Sequence, residues 1–281
     1  MLPLFKPGDD PGPSFHALAQ RVGVAPASSA NPGSAEGLTP HATTVVALRY
    51  ADGVVMAGDR RATAGNLIAH RDMEKVFPAD RHSGVAIAGA AGPAVEMVRM
   101  FRLQLEHYEK VEGQRLSLEG KANQLSQMVR ANLPMAMQGM VVVPLFAGYD
   151  VRRDVGRLFE YDATGGRYED RAYAATGSGS IFAGTVIKMG YRDQMGRDDA
   201  IDLAISSLWQ AADQDSATGG PDPVRGIYPI VATITATGFD RVDDQEIAER
   251  FLALVPRLNS STAGPSAAMA ANPTSSGGAS A

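Results

Sequence analysis

The sequence contains no cysteine. That absence excludes disulfides, thiolate metal sites and a cysteine nucleophile, while leaving the cellular compartment open. Lysine and arginine, 26 together, are outnumbered by 31 acidic residues, for a net charge of −5. No basic excess is available for a nucleic-acid surface. No segment approaches the ~18 consecutive apolar residues of a membrane span. The N-terminal run MLPLFKPGDD lacks the apolar core of a signal peptide. These absences set the expectation of a cytoplasmic chain bound to neither membrane nor nucleic acid. The histidines His16, His41, His70, His82 and His107 show no zinc-site spacing, and neither HExxH nor GxSxG occurs. Metal catalysis and a Ser-His-Asp triad therefore lack their parts, and no cofactor is expected.

What remains is the composition of an ordinary globular protein, 44% hydrophobic and 20% charged over 281 residues. Residues 1–42 hold seven of the 17 prolines: Pro3, Pro7, Pro11, Pro13, Pro26, Pro32 and Pro40. Such a segment buries too little apolar surface to offset its ordering entropy and reads as flexible. Residues 259–281, rich in Ser, Ala, Gly and Thr, read as a disordered tail.

Between these ends the pattern is regular. Thr43–Tyr50 and Val54–Ala57 are β-branched runs separated by Ala51-Asp52-Gly53, a hairpin signal. Val85–Ala88 is a further apolar run. A helical period follows, with Val98, Phe101, Leu105 and Tyr108 on one face. A second helix runs from about Leu118 to about Leu133, its end blurred by Pro134. Strands are expected at Met140–Asp150, Gly156–Tyr161, Ala172–Ala175 and Ile227–Ala236. Two more helices precede the last of these strands, and one follows it over Asp244–Leu254. Strands and helices thus come in blocks. That disfavours an alternating parallel sheet and suits an α+β chain, with helices on the outer faces of two antiparallel sheets: a four-layer αββα sandwich.

The chemistry concentrates at the start of the first strand, His41-Ala42-Thr43-Thr44-Val45. Cutting the Ala42–Thr43 bond would leave a hydroxyl nucleophile and a free α-amine on one residue. An α-amine with a pKa of roughly 7.7–8 can accept the hydroxyl proton near neutral pH. Gly58-Asp59-Arg60-Arg61 and then Lys75 follow within a short stretch. A buried Lys75 ammonium would stabilise the alkoxide, and Asp59 would hold that ammonium charged and oriented. A surface ion pair is the competing reading for these two residues. Gly89, opening Gly89-Ala90-Ala91-Gly92, can aim a backbone N–H at a carbonyl oxygen or simply make a turn. Ser178 reads equally as a helix N-cap, and Asp215 as a cap on the reversal at Gly219-Gly220. Gly177-Ser178-Gly179-Ser180 also suggests a phosphate nest, but lacks the P-loop lysine.

The run from Thr43 to Lys75, with Gly177-Ser178-Gly179-Ser180 and Asp215-Ser216-Ala217-Thr218-Gly219-Gly220, resembles a proteasome β-subunit of the actinobacterial kind, over nearly all of His41 to Leu258. The resemblance implies the N-terminal-nucleophile hydrolase fold and a threonine-type endopeptidase acting on unfolded polypeptides. Its catalytic set would be Thr43, Asp59, Lys75, Gly89, Ser178, Asp215 and Thr218. Its substrate pocket would be Ala62, Thr63, Met73, Phe77, Ile87, Ala91 and Val95. It further implies a propeptide, residues 1–42, removed by autoprocessing ahead of a peptidase domain at 43–258. Expected partners are homo-heptameric β-rings stacked with α-subunit rings, a ring-shaped ATPase, and substrates tagged with a prokaryotic ubiquitin-like protein. The family most often has glycine before the nucleophile, whereas Ala42 stands here, which narrows the backbone freedom available for self-cleavage. Three alternatives stay open: a non-catalytic ring subunit, the simpler bacterial ATP-dependent peptidase of the same superfamily, and an N-terminal-nucleophile amidohydrolase acting on a small molecule.

Overall fold

A computed structural model describes residues 43–262 except residue 66. The propeptide read at 1–42 and the tail beyond 262 lie outside the described residues. Among those described, β1 (Thr44–Tyr50), β2 (Gly53–Gly58), β10 (Tyr173–Gly177), β11 (Ile230–Thr235) and β12 (Gly238–Arg241) form one antiparallel sheet in the order β10-β1-β2-β11-β12. The second sheet runs in chain order through β5 (Val76–Asp80), β6 (Ser83–Gly89), β7 (Val142–Asp150), β8 (Val155–Tyr161) and β9 (Arg167–Asp170). A separate hairpin pairs β3 (Ala62–Ala64) with β4 (Leu67–His70). Helices α1 (Ala91–Glu112) and α2 (Leu118–Ala131) cover the second sheet, and the short α3 (Leu133–Ala136) follows them. Helices α4 (Ser180–Gly190), α5 (Arg197–Gln214) and α6 (Asp244–Thr262) cover the first. The expected αββα sandwich is the architecture observed.

Strand alternation builds this stack. In β1, Val46, Leu48 and Tyr50 enter the core beneath α4, α5 and α6, while Val45 and Ala47 enter the core between the sheets. In β6, Val85 and Ile87 face α1 and α2, and Ala86 and Ala88 face the other sheet. Successive side chains point to opposite faces, so a strand apolar at every position is one covered on both sides. Each fully buried Val or Leu contributes about 1.5–3 kcal/mol. Helix α1 turns Val98, Phe101 and Leu105 inward as its period predicts, and Phe101 meets Phe146 edge-on at 5.9 Å.

The structure extends the sequence reading in two ways. Strands β3, β4, β9 and β12 were not foreseen; they form the outlying hairpin or lie at sheet edges. Helix α6 continues through Pro256 to Thr262, into the stretch read as tail from Asn259.

Candidate active site

Thr43 immediately precedes β1, and the peptide group joining it to Thr44 is clamped on both sides. The Thr43 carbonyl accepts the Ser178 N–H at 2.9 Å. The Thr44 N–H donates to Asp59 Oδ1, also at 2.9 Å. Gly177, paired with Thr44 at the end of β10, makes this closeness possible. Its φ is +104°, and a Cβ there would overlap the Thr43 carbonyl.

Asp59 follows β2 directly and is 0% exposed. Four donors surround its carboxylate. Oδ1 accepts from Thr44 N–H and from Lys75 Nζ at 2.7 Å. Oδ2 accepts the N–H groups of Arg61 at 2.9 Å and Gly219 at 2.7 Å. Lys75, 1% exposed, also donates to the Arg61 carbonyl at 2.6 Å. The surface ion pair weighed for Asp59 and Lys75 is therefore not what forms. A buried pair is tolerable only when its remaining hydrogen-bond positions are filled, and here four main-chain groups help to fill them. Burial lowers the Lys75 pKa below that of a free lysine, against the opposing pull of Asp59, while nearby Arg61 lowers it further. Asp59 thus orients Lys75 as expected, but its hold on the proton is more than offset by desolvation.

A second carboxylate stands across β1. Asp215 closes the C-terminus of α5. Its Oδ2 accepts from Thr218 Oγ1 at 2.6 Å and from Ser178 Oγ, and its Oδ1 accepts the Ala217 N–H at 3.1 Å. Burial pushes the Asp215 pKa up, but the hydrogen bonds from Ser178, Thr218 and Ala217 outweigh it and leave the carboxyl below its ordinary value. Asp215 caps the turn, as the sequence suggested, and also gathers the hydroxyls of Ser178 and Thr218. Ser178 does not cap α4: the N-cap is Gly179, with no side-chain bond.

Thr43, Met73, Lys75, Ile87, Ala88, Gly89, Ala91 and Ala94 line one small recess. Gly89 ends β6 with φ +107°, and a Cβ there would overlap the Val141 carbonyl. Of the predicted pocket residues, Met73, Ile87 and Ala91 line this recess. Ala62 and Thr63, buried in β3, are not among its lining residues. Phe77 packs toward the α1–α2 core, and Val95 is 43% exposed on α1. Ala94, which sequence reasoning missed, takes a place in the lining.

Arg61, Gly219 and Thr44 were also missed. The first two act on Asp59 and Lys75 through main-chain atoms, which leave no mark on residue type. Thr44 had a visible signal, the second hydroxyl of the threonine pair. Its Oγ1 lies 2.6 Å from Thr218 Oγ1 and accepts the Gly179 N–H at 3.0 Å.

The proteasome subunit family model matches residues 39–224. A proteasome subunit beta from Acidimicrobium ferrooxidans is 59% identical over 248 residues, covering 88% of this chain and 91% of that protein. A second, from Streptomyces griseus, is 60% identical over 230 residues and covers 82% of each. The family match reaches every element from β1 to the loop beyond α5, and so contains both carboxylates and the threonine pair between them. The chain belongs to the proteasome subunit family, as a β-subunit.

Proposed function

We propose that this β-subunit is a threonine-type endopeptidase whose nucleophile is Thr43, freed by removal of residues 1–42. The observation that carries this reading is that Thr43 and Lys75 line the same recess while Asp59 holds the lysine from behind. Lys75 spends two N–H bonds on Asp59 and the Arg61 carbonyl, which leaves a third for Thr43 Oγ. Oγ attacks the scissile carbonyl carbon as the Thr43 α-amine takes the hydroxyl proton. The Gly89 N–H receives the developing oxyanion, a contribution worth ~3–4 kcal/mol. Collapse breaks the C–N bond, the amine returns the proton to the departing nitrogen, and water then hydrolyses the ester. In the precursor the α-amine is still bound in the Ala42–Thr43 peptide, so a water serves as base and processing is slower than turnover.

Assembly completes the reading: seven-membered β-rings stacked with α-subunit rings in the cytoplasm, fed with unfolded, tagged polypeptides by an ATPase ring. The decisive experiment co-expresses the chain with its α-partner. Intact mass should place the mature N-terminus at Thr43. Thr43→Ala should assemble but cleave no fluorogenic peptide. A mature terminus at Thr44, or wild-type cleavage by Thr43→Ala, overturns the assignment.

A further inference from the structure

Thr44 stands between the two carboxylate clusters, and the direction of its hydrogen bonds follows from counting protons. Asp215 is an acceptor only, because its hydrogen bonds hold it ionised. Thr218 therefore spends its single hydroxyl proton on Asp215 Oδ2. At the 2.6 Å contact between Thr218 Oγ1 and Thr44 Oγ1, Thr218 can only accept, and Thr44 must donate. Thr44 Oγ1 in turn accepts the Gly179 N–H. One polarised chain results, running from Gly179 N–H through the hydroxyls of Thr44 and Thr218 to the Asp215 carboxylate. Each link strengthens the next in a low-dielectric setting. Thr44 and Thr218 are both 0% exposed, so water does not replace a missing partner.

The space around the chain is fitted to it. A Cβ on Gly179 would overlap both Thr44 Oγ1 and Thr218 Oγ1. The second glycine of Gly177-Ser178-Gly179 thus leaves room for two side-chain hydroxyls, whereas the first leaves room for a backbone carbonyl. Thr44 also donates its own N–H to Asp59. It joins the Asp59–Lys75 cluster to the Asp215 cluster one bond along the chain from Thr43, beside a second link in which Thr218 reaches Asp215 and its neighbour Gly219 reaches Asp59.

We infer that Thr44 is a positioning residue for the peptidase reaction. Its hydroxyl, by donating to Thr218 and accepting from Gly179, fixes the peptide plane from which the Thr43 nucleophile and amine project. The inference rests on the reading of Thr43 as nucleophile. A misplacement at that plane costs rate in the chemical step and leaves peptide binding largely intact.

The test uses assembled, processed particles, with active sites counted by an irreversible peptide electrophile. Thr44→Val, which keeps the shape and removes the hydroxyl, should lower kcat per titrated site by about tenfold, the consequence of two buried partners left unpaired. KM should stay within about twofold. Thr44→Ser should recover most of the loss. Thr44→Val combined with Thr218→Val should cost no more than either alone, because both cut the same chain. Wild-type kcat in Thr44→Val, or a Thr44→Ser variant as slow as Thr44→Val, overturns the inference. If Thr44→Val forms no particles, Thr218→Val decides, since wild-type kcat there is equally fatal. Thr43→Ala separates the two levels. Its activity would sink the nucleophile assignment, whereas an inactive Thr43→Ala beside a fully active Thr44→Val sinks only the role of Thr44.

Discussion

Two aspartates flank the threonine pair, and they are built from different materials. Asp59 is fully buried, and three of its four donors are main-chain N–H groups. The fourth is a lysine that is itself buried. Asp215 sits at a helix end, partly open to solvent, and two of its three donors are hydroxyls. Main-chain donors are placed by the backbone and cannot turn away. Hydroxyls rotate, and their direction is set only by the network they join. The Asp59 side is thus part of the fold's own framework, while the Asp215 side is an adjustable addition to it. Loss of the first should disturb both stability and rate, and loss of the second should disturb rate.

Asp59→Asn is the largest break available. An amide in this place loses the charge that balances Lys75, and its NH2 group faces donors where the carboxylate accepted. Removing one partner of a buried pair costs about 3–5 kcal/mol. We expect a correspondingly lower unfolding temperature and peptide hydrolysis reduced by at least about a thousandfold, a loss on the scale of removing a group central to charge stabilisation. Calorimetry and fluorogenic turnover on purified particles read both. Near wild-type stability would mean that the Asp59 cluster is not structural in the sense argued.

Asp215→Asn probes the opposite side. With its oxygen in the place of Oδ2 the amide still accepts from both hydroxyls and loses the Ala217 N–H bond, and the turn over Ala217 and Thr218 retains its main-chain bond from Thr218 N–H to the residue 215 carbonyl. Turnover should fall about ten- to a hundredfold, the usual scale for disturbing a proton-handling group. Stability should change by no more than about 1 kcal/mol, as for other partly exposed hydrogen bonds. If Asp215→Asn unfolds as readily as Asp59→Asn, the contrast between the two clusters fails.

The same distinction explains what could be read from the sequence. Asp59, Lys75, Ser178, Asp215 and Thr218 make their contacts through side chains, and their types and spacing, like those of Thr43, are visible without coordinates. Arg61 and Gly219 act on Asp59 through N–H groups that any residue other than proline could supply. Nothing in their identity marks them. For the fold, β1, β2, β6 and β7 were legible because both their faces are buried and their apolar runs are unbroken. The edge strands β9 and β12 carry polar or mixed residues, because an edge strand faces solvent and must not invite further pairing, while the exposed β4 is too short, at four residues, for its apolar Leu67, Ile68 and Ala69 to mark a strand. Each of these strands pairs with the strand just before it in the chain, so its strand character comes from that hairpin partner more than from its own residues. Phe77 and Val95, also expected at the pocket, stand outside this recess lining, because which way a strand or helix face turns depends on how its element packs.

The recess itself belongs to neither aspartate, and changes there should separate selection from positioning. Ile87, Ala88 and Gly89 come from β6 and its end, and Ala91 and Ala94 from the first turn of α1. These elements belong to the second sheet and its helices, whereas both carboxylates hang from the first. Apart from Lys75, which is occupied by Asp59 and the Arg61 carbonyl, no lining residue carries charge. An apolar side chain on the acyl side of the cut should therefore be favoured. Each added methylene is worth roughly 0.8 kcal/mol, or about fourfold in kcat/KM, until the recess is filled. Ala94, buried and lining the recess, sets that limit. Ala94→Val should shift the preference toward smaller residues by several-fold, acting on KM more than on kcat, with turnover of a substrate bearing alanine at that position nearly kept. A peptide library scanned with the wild-type and Ala94→Val particles measures both effects. Preference for Arg or Glu, or a loss of kcat in Ala94→Val across all substrates, would show that the recess does not receive the side chain beside the cut.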